Sequence, residues 1–274
     1  MIIKTLVENL SISEDLAGEH GLSLYIETKR HKFLFDTGAS PLFGENARKM
    51  QVDLAKVDLA AISHDHYDHG GGLGTFLNIN SKAKVYLHKG AFKKRYVHLR
   101  NGKNKYIGLD AGLLPNDRFV FVEDSLVIDE ELELILGVKA EKLNPSGNQV
   151  LMMEAGSELV PDDFVHEQNL FVQEDGKTLL IVGCGHKGIV NILEHFRLAK
   201  GYWPDLVIGG FHLSNPGSGM DEDPAVVAEI GNYLKQTQKK FYTGHCTGIN
   251  SFNHLKSILG DQLEYLATGT QIVF

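Results

Sequence analysis

Cysteine is scarce in this 274-residue chain, which contains only Cys184 and Cys246. Two cysteines are too few for the disulfide framework by which small secreted domains are commonly stabilised. Each cysteine lies within two residues of a histidine. We therefore expect reduced thiols that take part in a metal site or another functional site, and no disulfide bridge.

Long apolar runs are missing as well. No run approaches the ~20 residues that are needed to span a bilayer. Residues 1–4 also lack the extended apolar stretch of a secretory signal. We expect a soluble, cytoplasmic protein with no membrane partner.

Positive charge is in short supply. The chain has 27 Lys and Arg residues against 35 Asp and Glu residues, which gives a formal net charge of -8. Nucleic-acid binding needs clustered basic side chains that contact phosphates. We therefore expect no nucleic-acid partner, and a nuclease function is disfavoured. The short basic run at Lys93, Lys94 and Arg95 is interpreted as a solvated face.

The rest of the composition is that of an ordinary globular protein, with 43% hydrophobic and 23% charged residues. No repeat of fixed period and no Pro-rich or Gly-rich linker divides the chain. Residues 1–274 are therefore interpreted as a single domain. Residues 91–143 lack a regular pattern apart from a strand at 118–122, and they are interpreted as an insertion or cap within that domain.

Hydrophobic patterns predict two β-rich halves. The first half has predicted strands at 2–7, 22–28, 32–35, 59–63 and 85–88, with helices at 41–50 and 73–78. The second half has predicted strands at 169–173, 178–182, 206–209 and 240–243, with helices at 189–200 and 225–236. Two β-rich halves with helices outside them predict an α/β protein, a four-layer αββα sandwich.

The densest polar segment follows the strand at 59–63. It reads Ser63-His64-Asp65-His66-Tyr67-Asp68-His69. Imidazole nitrogens and carboxylate oxygens are the ligands that borderline divalent ions such as zinc prefer. His64 and His66 are therefore predicted to share one metal ion, and Asp68 and His69 to reach a second. A solvated loop with incidental histidines is the competing interpretation, but packing does not explain such density.

This motif, together with the turn at Asp36, Thr37 and Gly38, resembles the metallo-β-lactamase superfamily. The resemblance implies that fold and one or two divalent metal ions, with Zn expected and Mn or Fe as alternatives. It implies that His245 is the final histidine ligand. It also implies that Cys184 occupies a ligand position where many hydrolases have an aspartate. A thiolate is softer and more oxidisable than a carboxylate, which changes the metal preference.

The middle histidine ligand implied by the resemblance has two candidates. His166 precedes the strand at 169–173 and suits the general order of the superfamily. His186 follows Cys184 closely and stands just before the helix at 189–200. We prefer His186.

Other polar residues are predicted to act around the metal ligands. His212 is predicted to stabilise developing negative charge or to protonate a leaving group, with an ordinary loop histidine as the alternative. Asp36 is predicted to hold a ligand histidine through its other ring nitrogen. Glu19 and His20, in an early loop, are predicted to bind substrate, with an exposed hairpin as the alternative.

A narrower set of motifs consists of Asn9 and the segments 19–23, 35–38, 183–186, 209–213 and 245–248, which are spread over nearly the whole chain. These segments are similar to the subfamily named after the 7,8-dihydropterin-6-methyl-4-(β-D-ribofuranosyl)aminobenzene-5'-phosphate synthase of methanogen pterin biosynthesis. The resemblance implies a possible synthase activity, a metal-assisted transfer to an aromatic acid.

The preferred prediction of function is a metal-dependent hydrolase. A divalent ion lowers the pKa of bound water from 15.7 towards about 7. Metal-bound hydroxide would then attack a small ester, phosphoester or related substrate while Asp68 orients it. The alternatives are the synthase activity and a non-catalytic role in metal binding or redox sensing through Cys184. The expected partner is a small-molecule substrate, and no particular oligomeric state is predicted.

Overall fold

The structure is a computed structural model that describes residues 1–215 and 219–274. Its strands, numbered along the chain, are β1 (Ile2–Val7), β2 (Ser23–Glu27), β3 (Lys32–Phe35), β4 (Leu59–Ala61), β5 (Lys84–His88), β6 (Arg95–His98), β7 (Asn104–Tyr106), β8 (Phe119–Val122), β9 (Leu126–Val127), β10 (Leu132–Ile135), β11 (Leu151–Ala155), β12 (Glu158–Pro161), β13 (Asn169–Glu174), β14 (Lys177–Ile181), β15 (Leu206–Gly209), β16 (Ser214–Asn215), β17 (Met220–Asp221), β18 (Lys240–Thr243), β19 (Leu263–Tyr265) and β20 (Gln271–Val273).

Six α-helices connect these strands within the described residues. They are α1 (Leu42–Lys49), α2 (Tyr67–Gly70), α3 (Leu73–Ile79), α4 (Ile189–Lys200), α5 (Pro224–Gln236) and α6 (Ile249–Leu259). Short 3-10 turns lie at Leu54–Lys56, Ala111–Leu113, Ser146–Val150, His245–Thr247 and Gly260–Gln262. Throughout 1–215 and 219–274, every helix is too short or too polar to cross a bilayer.

Two seven-stranded sheets form the centre of the fold. The order of strands is β20-β1-β2-β3-β4-β5-β8 in the first sheet and β19-β18-β15-β14-β13-β10-β9 in the second. Strands β3, β4, β5 and β8 run parallel, as do β14, β15, β18 and β19. Because the carboxyl ends of parallel strands meet at one edge of a sheet, loops that follow these strands are brought together.

Alternation of side chains along β3 shows how the layers pack. Phe33 and Phe35 belong to an apolar core that also contains Leu170 and Ile181 of the second sheet. Leu34, which points to the other face, packs in a core that includes residues of α1 and α3. Successive side chains of a strand point to opposite faces, so a strand buried on both sides has no polar face.

The second sheet is covered in the same way on its outer face. A third core joins residues of β14, β15 and β18 to helices α4, α5 and α6. Helices therefore lie outside both sheets, and the predicted α/β four-layer αββα sandwich is confirmed.

The structure corrects the interpretation of residues 91–143 as one insertion or cap. Strand β8 pairs with β5 in the first large sheet, and β10 pairs with β13 in the second. Of the strands in this segment, β6 and β7 lie outside the sandwich, in a four-stranded sheet whose other strands are β11 and β12. The two pairs of strands in this small sheet are far apart in the sequence. The prediction of one continuous inserted segment therefore failed.

A buried charge network ties the small sheet to residues 63–69, called the 63–69 loop, which lead from β4 into the first turn of α2. Nε of Arg95, on β6, lies 3.1 Å from Oδ2 of Asp65 and 3.1 Å from Oδ2 of Asp162. His166 contacts the same two carboxylates, through Nδ1 to Asp65 and through Nε2 to Asp162. Arg95 is only 1% exposed, so its interpretation as part of a solvated face was wrong.

The network determines the protonation of His166. Burial alone would lower the pKa of this imidazole, but the carboxylates of Asp65 and Asp162 outweigh burial and raise the pKa to about 9. The ring is therefore charged at pH 7. Two cationic and two anionic side chains balance in a region that water does not reach, and removal of one partner leaves an uncompensated buried charge.

We expect a His166→Gln variant to lose stability most strongly at neutral and mildly acidic pH. The pKa of His166 rises from 6.5 in the unfolded chain to about 9 in the folded protein. Its contribution, up to about 3 kcal/mol, is fully present below pH ~6.5 and is lost as the pH rises through about 9. Urea unfolding in EDTA, at several pH values between these limits, should show the difference between wild type and variant shrinking. A difference that does not change with pH would mean that the folded protein holds this ring neutral.

Candidate metal centre

The 63–69 loop lies where the two large sheets meet at one end of the sandwich. Strand β4 leads into this loop, and β14 leads into Gly183. A Cβ atom on Gly183 would collide with Oγ of Ser63. Glycine at this position therefore lets the loops of the two sheets approach, and their polar side chains converge in the same space.

Three histidines form a first group of donor atoms. Nε2 of His64 lies 3.1 Å from Nδ1 of His66 and 3.3 Å from Nε2 of His186. Burial lowers the pKa of His66 to about 4. Burial and neighbouring imidazoles also hold the pKa values of His64 and His186 well below the ordinary value. The three rings are therefore neutral at pH 7, which is the form that binds a metal ion.

The outward nitrogens of two of these rings meet hydrogen-bond acceptors. Nδ1 of His186 lies 2.9 Å from Oδ1 of Asn148, whose amide nitrogen donates to the carbonyl of His186. Nδ1 of His64 lies 2.9 Å from Oγ of Ser63, and that hydroxyl donates to Asp36. Both Nδ1 atoms must then carry the hydrogen, so both Nε2 atoms present a lone pair to the centre of the group.

A second group contains Asp68, His69, Cys184 and His245. Nε2 of His69 lies 3.1 Å from Nε2 of His245 and 3.1 Å from Sγ of Cys184. Oδ2 of Asp68 lies 3.3 Å from Nε2 of His245. The four donor atoms lie within 4.8 Å of one another, and all four residues are buried.

The second group has the same arrangement of outer contacts. Nδ1 of His69 lies 2.7 Å from Oδ2 of Asp36. Nδ1 of His245 lies 3.1 Å from Oδ1 of Asn9, whose amide nitrogen donates to the carbonyl of His245. These acceptors place the hydrogen on Nδ1, and Nε2 of each ring faces the group.

The Nε2 atoms that face one another in each group indicate whether the residues suit a metal ion. Unprotonated ring nitrogens at 3.1 to 3.3 Å cannot hydrogen-bond to each other, and they repel unless a cation lies between them. Burial lowers the pKa of His69, but Asp36 and Asp68 outweigh burial and raise it. The second group thus favours a positive charge, which a proton or a metal ion supplies. The nitrogen, oxygen and sulfur donors fit a divalent transition-metal ion.

Of the two candidates for the middle histidine, the structure brings His186 into the first group. His166 lies outside both groups because its two ring nitrogens contact Asp65 and Asp162. The order of motifs along the chain therefore did not identify the histidine that converges with His64.

The two residues predicted to bind substrate have different surroundings. His20 lies at the mouth of the site, where Nε2 is 3.3 Å from Oδ2 of Asp68 and the ring stacks on His245. Glu19 must be reassigned, because its Oε1 accepts hydrogen bonds from the amides of Ala39 and Ser40 and its Oε2 from the Ser40 hydroxyl. This carboxylate holds the loop after β3, and Glu19 does not line the cavity described below.

A cavity of about 530 Å³ opens above the donor groups. Its floor includes Asp68 and His186, and one wall consists of apolar residues from the small sheet and its neighbourhood, among them Val97 and Leu151. Lys105 also lines the cavity and lies over the ring of Tyr67 at 5.3 Å. A volume of this size suits a small molecule.

His212 and Cys246 also line this cavity. The ring of His212 lies 4.1 Å from that of His186, between centroids. From the sequence, Cys246 was expected only to be a reduced thiol of a metal site or another functional site, and its position in the cavity agrees with that expectation. Asn9 belonged to the motifs of the subfamily resemblance but was given no role, and Asn148 was missed because an asparagine in a loop gives no sequence signal of its own.

The profile of the metallo-beta-lactamase superfamily matches residues 16–197. The chain is 28% identical to the 7,8-dihydropterin-6-methyl-4-(beta-D-ribofuranosyl)-aminobenzene-5'-phosphate synthase of Methanocaldococcus jannaschii, and the alignment covers 98% of each protein. An uncharacterized protein of the same organism is also 28% identical, over 94% of each protein.

Solved structures show the same fold. Tm1679, a metal-dependent hydrolase of the β-lactamase superfamily, is 29% identical and superposes with a TM-score of 0.84, covering 100% of this chain and 99% of its own. Zn²⁺-bound PqqB from Methylobacterium extorquens is 10% identical, with a TM-score of 0.60 over the whole of both chains, and is similar in fold alone. The chain therefore belongs to the metallo-β-lactamase superfamily.

Proposed function

We propose that this protein is a divalent-metal-dependent hydrolase that acts on a small ester, phosphoester or related substrate. The observation that carries the proposal is the set of buried imidazoles whose Nδ1 atoms face hydrogen-bond acceptors and whose Nε2 atoms face one another at 3.1 to 3.3 Å. The similarity to Tm1679, which is named as a metal-dependent hydrolase, supports the same activity.

In this proposal the two donor groups hold one ion each. The first ion has three imidazole ligands, which are His64, His66 and His186. The second has the ligands Asp68, His69 and His245, with Cys184 beside it. Bound divalent ions polarise a carbonyl or phosphoryl oxygen and bring the pKa of a water molecule to about 7. Zinc suits this donor set best.

The protein's own residues orient the reaction. His69 and His20 stand beside Asp68 and, against the effect of its burial, hold the pKa of that carboxyl well below its ordinary value. Asp68 is therefore an anion that accepts a hydrogen bond from an attacking water and orients it. Asp36 receives hydrogen bonds from the backbone and hydroxyl of Ser63 and faces Nδ1 of His69, so it fixes the loop that carries these groups.

The cavity limits the substrate to small molecules. Apolar side chains such as Ile107 and Leu151 exclude water from one side of the reacting atoms. His20 is 36% exposed at the side chain and reaches both Asp68 and the cavity, so it contacts the substrate at the mouth. Proton transfer to the leaving group is the role predicted for His212 from the sequence.

A metal-assisted transferase is the second candidate. It is favoured by 28% identity to the M. jannaschii synthase over 98% of both proteins. The same donor groups would then activate an electrophile for attack by an organic acceptor, and the apolar wall of the cavity would hold that acceptor in place of water. The two activities differ in the atom that ends up bonded to the electrophile.

We expect His64→Ala and His245→Ala to reduce the bound metal, each by about one ion per chain, because each variant removes one ligand of three or four. The metal content of protein purified without chelators, measured by plasma mass spectrometry, tests this. His254→Ala is the matched control, since His254 lies on α6 and does not line the cavity. Full metal content in both ligand variants would refute the proposed ligand groups.

Asp68→Asn is expected to lower kcat by about 100-fold or more, because a neutral amide orients the attacking water less well than the carboxylate does and binds a metal more weakly. Phosphodiesters, lactones and thioesters form the substrate screen. Reaction in ¹⁸O-labelled water distinguishes the two candidate activities. Label in the product supports hydrolysis, whereas an unlabelled product joined to an added aromatic acceptor supports the transferase.

A further inference from the structure

A third group of donor atoms lies beside the cavity. It shares one residue with the histidine groups, and its other two residues belong to neither of them. Sγ of Cys184, Sγ of Cys246 and a ring nitrogen of His212 lie within 4.8 Å of one another. All three residues are buried and all three line the cavity. Both cysteines are free thiols.

His212 is the unexplained member of this group. Its side chain belongs to a residue that is only 6% exposed, yet neither ring nitrogen makes a hydrogen bond of ordinary geometry. A buried polar group without a partner is costly. The backbone adds to this cost, because His212 has a φ of 50°, in the left-handed region that L-residues seldom adopt. The fold holds this imidazole beside the thiol of Cys246, with which it interacts electrostatically.

Gly210 gives the two thiols room to approach. A Cβ atom at this position would collide with Sγ of Cys246 and would lie 3.4 Å from Cα of Cys184. The missing side chain therefore leaves open the space between the cysteines.

The three donors come from the ends of three adjacent parallel strands. Cys184 follows β14, His212 follows β15 and Cys246 follows β18, and β15 pairs with both of the others. Sγ of Cys246 also lies 3.3 Å from the carbonyl of Cys184. Each donor lies three residues beyond the end of its strand, so the pairing of the strands brings the three donors together.

We propose that Cys184, Cys246 and His212 form a separate site for a thiophilic divalent cation, with one coordination position open to the cavity. Two thiolates and one imidazole are a donor set that selects soft and borderline ions. Three protein ligands with a fourth position free are typical of catalytic zinc sites, whereas structural sites use four protein ligands. The free position faces the space in which a small molecule would bind.

The new site is compatible with both histidine groups. His64, His66 and His186 need no thiolate, and Asp68, His69 and His245 remain three donors without Cys184. Cys184 is the one shared residue, because its Sγ also lies within 4.8 Å of donor atoms of both histidine groups, and a thiolate sulfur can bridge two ions. The inference does not depend on hydrolytic activity. It replaces the proton-transfer role predicted for His212, because a nitrogen that binds a metal cannot also deliver the proton.

Cadmium binding to the reduced protein tests the site. Cd²⁺ is soft, and its thiolate complexes absorb in the ultraviolet, so thiolate binding can be followed separately from binding to histidine. The reporter variants are Cys246→Ser and His212→Asn, and Asn is chosen because it tolerates the left-handed backbone better than Ala. Bound Cd²⁺ per chain is counted by plasma mass spectrometry, and circular dichroism verifies the fold.

We expect wild type to bind one more Cd²⁺ than Cys246→Ser, and the thiolate absorbance of that variant to fall by about half, from two thiolates to one. His212→Asn should weaken the same ion by about 10-fold or more. His64→Ala is the control for the histidine groups, and it should lose metal without losing thiolate absorbance. Equal Cd²⁺ content in wild type and Cys246→Ser would overturn the site. An unchanged Cd²⁺ affinity in His212→Asn would overturn the assignment of His212 as a ligand.

Discussion

The buried carboxylate of Asp36 is the contact on which the rest of the site depends. It accepts hydrogen bonds from the backbone amide of Ser63 at 2.7 Å and from its hydroxyl at 2.8 Å, and it faces Nδ1 of His69 at 2.7 Å. One side chain at the end of β3 therefore fixes both ends of the 63–69 loop. Hydrogen bonds to a buried carboxyl group are costly to break, so these contacts hold the loop in place.

Backbone strain accompanies this arrangement. Asp36, His212 and His245 all have a positive φ, at 64°, 50° and 51°. Each conformation costs free energy, about 1 to 3 kcal/mol. At His245 the compensation is visible, because the buried carboxylate of Glu8 accepts a hydrogen bond from its amide at 2.5 Å. Burial of the large apolar cores on either side of each sheet stabilises the fold enough to offset the cost of these positions.

Much of the fold could be predicted because its strands are apolar on both faces. Strands β3 and β15 have the predicted bounds, and their residues are almost completely buried. Charged residues were predicted less well. Arg95 stands next to two lysines in the sequence, and only the pairing of β6 with β11, more than fifty residues later, encloses it with two carboxylates. Contacts between distant segments leave no local pattern for the sequence to display.

The same difference applies to the site, where residues close together in the sequence were easier to predict than contacts between distant segments. His64, His66, Asp68 and His69 are near neighbours in one loop, so their spacing alone predicts a metal site. Cys184 was expected to be a ligand from the resemblance, but only the folded sheet shows that it lies beside His69 on one side and Cys246 on the other. An aspartate in its place would offer hard oxygen donors to the histidine groups and could not pair with Cys246. The thiol therefore joins two kinds of donor set, one of imidazoles and one of sulfurs, at a single edge of the sandwich.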